Sequence, residues 1–191
     1  MNKNILLVAA ATLAVGGVGF ALGAHALQEP QDAAAPVKPG PEHKIMNQDV
    51  GTWTANVKVY MAPGQPPMEF SGKETNKWDC NGMWMLSTFD ADDGSFSGRS
   101  ISGWDAHQKK YVTVWVDSWT PNMMFLSGTH DAASNSLQFE GQAPNQMTGK
   151  LEKQRSKVEY QGADARRYTS WTTPTGGTET KMVEVNYKRV K

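Results

Sequence analysis

The chain has 191 residues with 19 basic and 19 acidic side chains, one Cys, seven Trp and ten Met. A near-neutral chain without a basic cluster is excluded as a nucleic-acid binder, because phosphate neutralisation needs gathered Lys and Arg. The lone Cys80 cannot close an internal disulfide, so the fold must stand on its own core, and a buried or half-buried structural place is expected for it.

Residues 1–26 read as a signal peptide. Lys3 supplies the positive start, Ile5 to Ala24 is an uncharged apolar run, and Ala24-His25-Ala26 fits cleavage after Ala26. The run is also long enough to anchor the chain in a bilayer if it is kept, although its glycines weaken it as a helix. Membrane attachment is expected only in that case. Residues 27–41 (LQEPQDAAAPVKPGP) form a flexible linker. The domain, residues 42–191, is therefore expected in the periplasm or secreted.

Within the domain, Glu42 to Val50 fits a short helix opened by Pro41. The period then changes to two. Trp53, Ala55, Val57, Val59 and Met61 alternate with Thr54, Asn56, Lys58 and Tyr60, the mark of a half-buried strand. The turn-rich Pro63 to Pro67 ends it. Strands are expected over Phe70–Asp79, Met83–Phe89, Phe96–Trp104, Tyr111–Trp119 and Met123–Thr129. Leu137–Gly141, Lys150–Tyr160, Arg167–Thr173 and Thr180–Val190 complete the set. Asn81-Gly82 predicts a two-residue hairpin turn. About ten strands in hairpin order predict an all-β protein, an antiparallel up-and-down β-barrel of the lipocalin or calycin kind with a short N-terminal helix. A curled open sheet or a sandwich is the alternative.

Several punctuation points occur together: Gly51-Thr52-Trp53, Pro63-Gly64-Gln65-Pro66-Pro67, Gly103-Trp104-Asp105, and Tyr111-Val112 with Trp115, Asp117 and Ser118. Met123-Met124, Met147-Thr148-Gly149-Lys150, Arg155-Ser156 and Tyr187-Lys188-Arg189 follow. In this order they resemble the bacterial domain-of-unknown-function 1579 family over roughly Gly40 to Lys191. The resemblance implies an exported lipocalin-like barrel and brings no established activity. Asn81-Gly82-Met83 stands where the family pattern has Gly-Gly-Arg. Gly51-x-Trp53 also resembles the lipocalin Gly-x-Trp start, which implies a stack of Arg189 on Trp53 at the barrel floor.

Tyr111, Thr113, Trp115, Asp117 and Trp119 share one face of their strand, and Val112, Val114 and Val116 share the other. A row of aromatics is the better lumen wall, with Asp117 as a fixed acceptor. Trp84, Tyr111, Trp115, Asp117 and Phe125 are therefore expected to form a ligand-binding wall for a small, partly apolar molecule. A buried Asp117 needs a partner, for which Arg155 and Arg167 are candidates.

Ser118, His130 and Asp117 do not make a triad, since neighbouring strand residues face opposite ways. No catalytic residue is assigned. The Met residues carry no His or Cys at ligand spacing apart from Cys80 near Met83, so core filling is the reading and no metal or cofactor is implied. A cell-envelope protein-interaction module with a filled lumen, and an enzyme of unknown reaction, stand as alternatives.

Overall fold

The computed structural model describes residues 38–62, 64–145 and 149–191. The expected signal peptide and linker residues 27–37 lie outside the described residues, as do Pro63, Met147 and Thr148 of the family pattern. Helix α1 (Pro41–Met46) opens on Gly40 with Pro at its first position, and the Gly40 N–H donates to His43 Nδ1 at 3.0 Å. A 3₁₀ turn, Asn47–Asp49, leads directly into the sheet.

Strands β1 (Gly51–Val59), β2 (Met68–Asp79), β3 (Trp84–Ala91), β4 (Ser97–Asp105) and β5 (Lys110–Asp117) are followed by β6 (Met124–Asp131), β7 (Ser136–Pro144), β8 (Leu151–Tyr160), β9 (Ala165–Thr173) and β10 (Thr180–Arg189). Each pairs antiparallel with its neighbour in sequence, and β10 returns to β1, so the ten strands close into a barrel. The expected meander is therefore the observed fold, and closure leaves no sheet edge. Along β1, Trp53, Ala55 and Val57 are buried while Thr54 and Asn56 are exposed. Opposite them on β10 stand Arg189, Tyr187 and Val185.

One turn differs from expectation. Cys80–Gly82 forms a 3₁₀ turn in which Cys80, Asn81 and Gly82 all have positive φ (47°, 57° and 83°). The left-handed backbone turns Cys80 outward, so it is exposed rather than buried.

Two apolar clusters fill opposite walls. One joins Met46 of α1 to Met85, Tyr111, Leu126, Leu137, Phe139 and Tyr160. The other joins Trp53, Ala55 and Val57 to Phe89, Ala91, Val185 and Tyr187. Helix α1 and the 3₁₀ turn cover the end where β1 begins. Trp53, 1% exposed, donates Nε1–H to the Asp49 carbonyl at 2.7 Å. The Arg189 guanidinium stacks on its ring at 4.1 Å, as the Gly-x-Trp resemblance implied. Arg189 also donates to the carbonyls of Gln48, at 2.9 Å, and Val50. One side chain thus closes the seam and holds the plug.

Trp53→Ala is expected to cost about 3–5 kcal/mol, the usual loss for a buried Trp. Arg189→Ala is expected to cost about 1.5–3 kcal/mol, since its charged donors serve buried carbonyls. Urea unfolding measures both; a variant as stable as the parent would remove the floor stack from this account.

Candidate functional site

The ends of the barrel differ in chemistry. At the closed end, Arg166 is 6% exposed and lies between two buried carboxylates. Its Nη1 is 2.9 Å from Asp49 Oδ1, off the hydrogen-bond line, and Nη2 donates to Glu74 Oε1 at 2.5 Å. Tyr187 donates to Glu74 Oε2 at 2.8 Å, and Tyr160 to Asp49 Oδ2 at 2.6 Å. Asn76 donates to both Glu74 and the Asp49 carbonyl. Arg166 also lies 4.7 Å from the Trp53 ring, opposite in role to Arg189, so the indole contacts two guanidinium groups.

One cation between two carboxylates cannot satisfy both. Burial pushes the Asp49 carboxyl above its usual range, and Arg166 and Tyr160 only partly offset that. Burial also pushes Glu74 up, but the Arg166 charge and the donors from Arg166, Asn76 and Tyr187 outweigh it and hold Glu74 low.

Among the described residues no helix covers the other end. Trp115 points inward, lying so close on Gly98 that a Cβ there would meet the indole at 2.1 Å. Only glycine leaves room for that ring. Phe96 stacks on Trp115 with centroids 6.4 Å apart, and Trp119 meets Phe96 edge-on at 4.7 Å. Phe70 approaches Phe96 and Trp119 at 6.1 and 6.0 Å, which completes an aromatic rim.

The expected wall is therefore only partly gathered. Trp115 and Asp117 stand together at the rim, with Trp115 Nε1 donating to Asp117 Oδ2 at 2.8 Å. Asp117 Oδ1 accepts the backbone N–H of Trp119 and Thr120, both at 2.9 Å, so the carboxylate orders the β5–β6 turn. Neither expected arginine reaches it. Arg155 pairs with Glu179 at 2.7 Å and stacks on Trp171 at 3.7 Å, while Arg167 donates to Asn186, all on the outer face. Tyr111 faces inward but sits at the closed end, 3% exposed, and its hydroxyl donates to the Glu42 carbonyl at 3.1 Å. Trp84 and Phe125 point outward. Trp84 lies over Gly103 on the outer surface, and Phe125 is 49% exposed beside Val114. The valine face is likewise the outer one, so the Tyr111–Asp117 face lines the interior as expected.

Sequence reasoning missed a polar shelf between floor and rim. Ser87, Ser100, Ser102 and Thr113 face inward on β3, β4 and β5, and all are half-buried. Ser102 donates to Thr113 at 2.8 Å. Across the barrel, Ser156, Tyr168 and Ser170 face inward on β8 and β9, and Gln154 donates to Thr172 at 2.8 Å. Among the described residues no group of three or more His, Cys, Asp or Glu gathers as metal ligands.

Residues 38–189 match the family described as protein of unknown function DUF1579. The chain belongs to that family. No curated protein matches this DUF1579 chain. Among solved structures it is similar to Rv2717c from M. tuberculosis, with 13% identity, 80% of this chain and 99% of that one covered, and a TM-score of 0.56. It is also similar to the S-type phycobiliprotein lyase CPES from Guillardia theta, with 9% identity, 80% and 99% covered, and a TM-score of 0.51. At these identities the likeness is one of fold.

The floor makes a pH prediction. Because the folded Asp49 carboxyl is raised, the stability it contributes is complete below its unfolded value of about 3.9 and is lost as pH rises through the folded value. Glu74 runs the other way, contributing above about pH 4.3 and losing that as pH falls through its depressed folded value. Asp49→Asn keeps the Glu74 dependence and removes the Asp49 one. Urea unfolding between pH 4 and pH 7 should therefore show the variant gaining on the parent as pH rises; a constant difference would contradict the raised Asp49.

Proposed function

We propose that this DUF1579 barrel binds a small, partly apolar molecule in its lumen, admitted past the Phe96–Trp119 rim. The observation that carries the reading is the half-buried state of Ser87, Ser100, Ser102 and Thr113. Their side chains point into the barrel, yet each residue keeps part of its surface accessible. A filled core would have sealed them or replaced them with apolar groups, since buried unpaired hydroxyls are costly. An aromatic mouth over a few placed polar groups is the usual composition of a small-molecule site. The barrel shape alone would not carry this step, because one fold serves many roles.

The uncharged run Ile5–Ala24 and the Ala24-His25-Ala26 site support a meeting with that molecule outside the cytoplasm. A second reading has one observation in its favour. Ile101, Val116, Met123 and Phe125 are all exposed on the β4–β6 side, which suits contact with a partner protein.

Titration with the neutral dye N-phenyl-1-naphthylamine separates the two. The protein purified from bacterial periplasm, with a chain beginning at Leu27, is expected to enhance the dye's fluorescence saturably at one dye per protein. Ser102→Trp should abolish the signal by filling the shelf, Trp115→Ala should weaken it several-fold, and Phe125→Ser should leave it intact. Binding lost in Phe125→Ser and kept in Ser102→Trp would place the dye on the outer wall and overturn the lumen reading.

A further inference from the structure

We infer that the lumen selects a ligand carrying a positive charge and rejects anionic amphiphiles such as fatty acids. The inference rests on the lumen reading above and concerns the charges that face inward. Strand parity fixes which these are among the described residues. At the floor stand Glu74 and Arg166, joined by Asp49 from the plug. On the wall stands Glu152, in register with Ala143, and at the rim Asp117, in register with Gly98.

Arg166 is already held against two carboxylates through its Nη atoms, which leaves only its buried Nε–H without a partner. Arg155, Lys157 and Lys181 pair with Glu179, Glu159 and Glu184 on the outer surface, and Arg189 lies beneath the floor with its donors on backbone carbonyls.

Glu152 is the decisive group. It is 6% exposed and inward-facing, and its Oε2 accepts a hydrogen bond from Thr172 at 3.0 Å. No Lys or Arg pairs with it among the described residues. Among the described residues the Thr172 hydroxyl is the one hydrogen-bond donor to it, and a hydroxyl carries no countercharge for a carboxylate withdrawn from water. An ammonium or guanidinium entering the lumen supplies one. The aromatic rim favours the same charge, because the faces of Phe and Trp rings are electronegative. An entering carboxylate, sulfate or phosphate would meet Asp117 and Glu152 without a countercharge.

Two probes of equal chain length test this, dodecyltrimethylammonium and dodecanoate, each used below its micelle concentration to displace the neutral dye. The parent protein is expected to bind the cation about tenfold or more tightly than the anion. In Glu152→Gln, checked as folded by circular dichroism, that advantage should shrink to about threefold or less. Equal or tighter binding of dodecanoate by the parent would overturn the inference, as would an unchanged preference in the variant. If the variant fails to fold, the parent's own preference decides. Absence of any dye binding would instead remove the lumen reading beneath it, so the two failures are distinguishable.

Discussion

Everything in this barrel hangs on a tryptophan in contact with two guanidinium groups. Trp53 is the first inward side chain of β1 with real bulk, and the seam between the first and last strands runs through it. Both Arg189 and Arg166 lie over its ring, at 4.1 and 4.7 Å. The stack does more than close the seam. Through Arg189 it binds the carbonyls of Gln48 and Val50, and through its own indole N–H it binds that of Asp49. The plug is thereby fixed to the last strand as well as the first. A barrel must satisfy its end as well as its edges, and here cation–π contact and backbone hydrogen bonds do so together.

The two ends of the barrel are held in different ways. The plug seals Arg166, Asp49 and Glu74 away from water, and the barrel tolerates that buried charge because Tyr160, Tyr187 and Asn76 supply donors to it. On the β3–β5 wall the inward side chains between floor and mouth include Ser87, Ser100, Ser102 and Thr113, and large rings gather at the rim. The gradient runs from sealed and ionic to hydroxylated and half-wet, then to aromatic. A core built for stability alone would place its large apolar groups in the middle. Here Ser100, Ser102 and Thr113 interrupt the apolar lining on one wall, with the buried Met85 and Leu126 beside them.

Much of this was legible in the residues. The strict alternation of Trp53, Ala55 and Val57 with polar neighbours marked β1, and hairpin spacing gave the remaining strands. The Tyr111–Asp117 face could be assigned inward because a row of aromatics left in water is unusual. Trp84 and Phe125 could not be placed in this way. Trp84 is flanked by Met83 and Met85, and Phe125 by Met124 and Leu126, so both faces of those segments are apolar and parity gives no answer. Glu74 and Asn76 sit among Lys73, Thr75 and Lys77, where both faces are polar, and nothing local marks two of them as buried. Arg166 and Arg167 are adjacent and chemically alike. Only the register against Tyr187 and Asn186 sends the first inward and the second out. Asp117 misled in another manner, since its partners are backbone N–H groups and an indole rather than the cations expected.

The claim most exposed to test is that solvent reaches the middle of the folded barrel. Thiol labelling of Ser102→Cys in a Cys80→Ser background measures this directly, because Cys80 is itself exposed and would otherwise react. A small alkylating reagent should modify Cys at that position under native conditions at a rate that does not follow global unfolding, while a reagent too wide for the aromatic rim should not. A thiol that reacts only as fast as the whole protein unfolds would show a sealed core and contradict the open lumen.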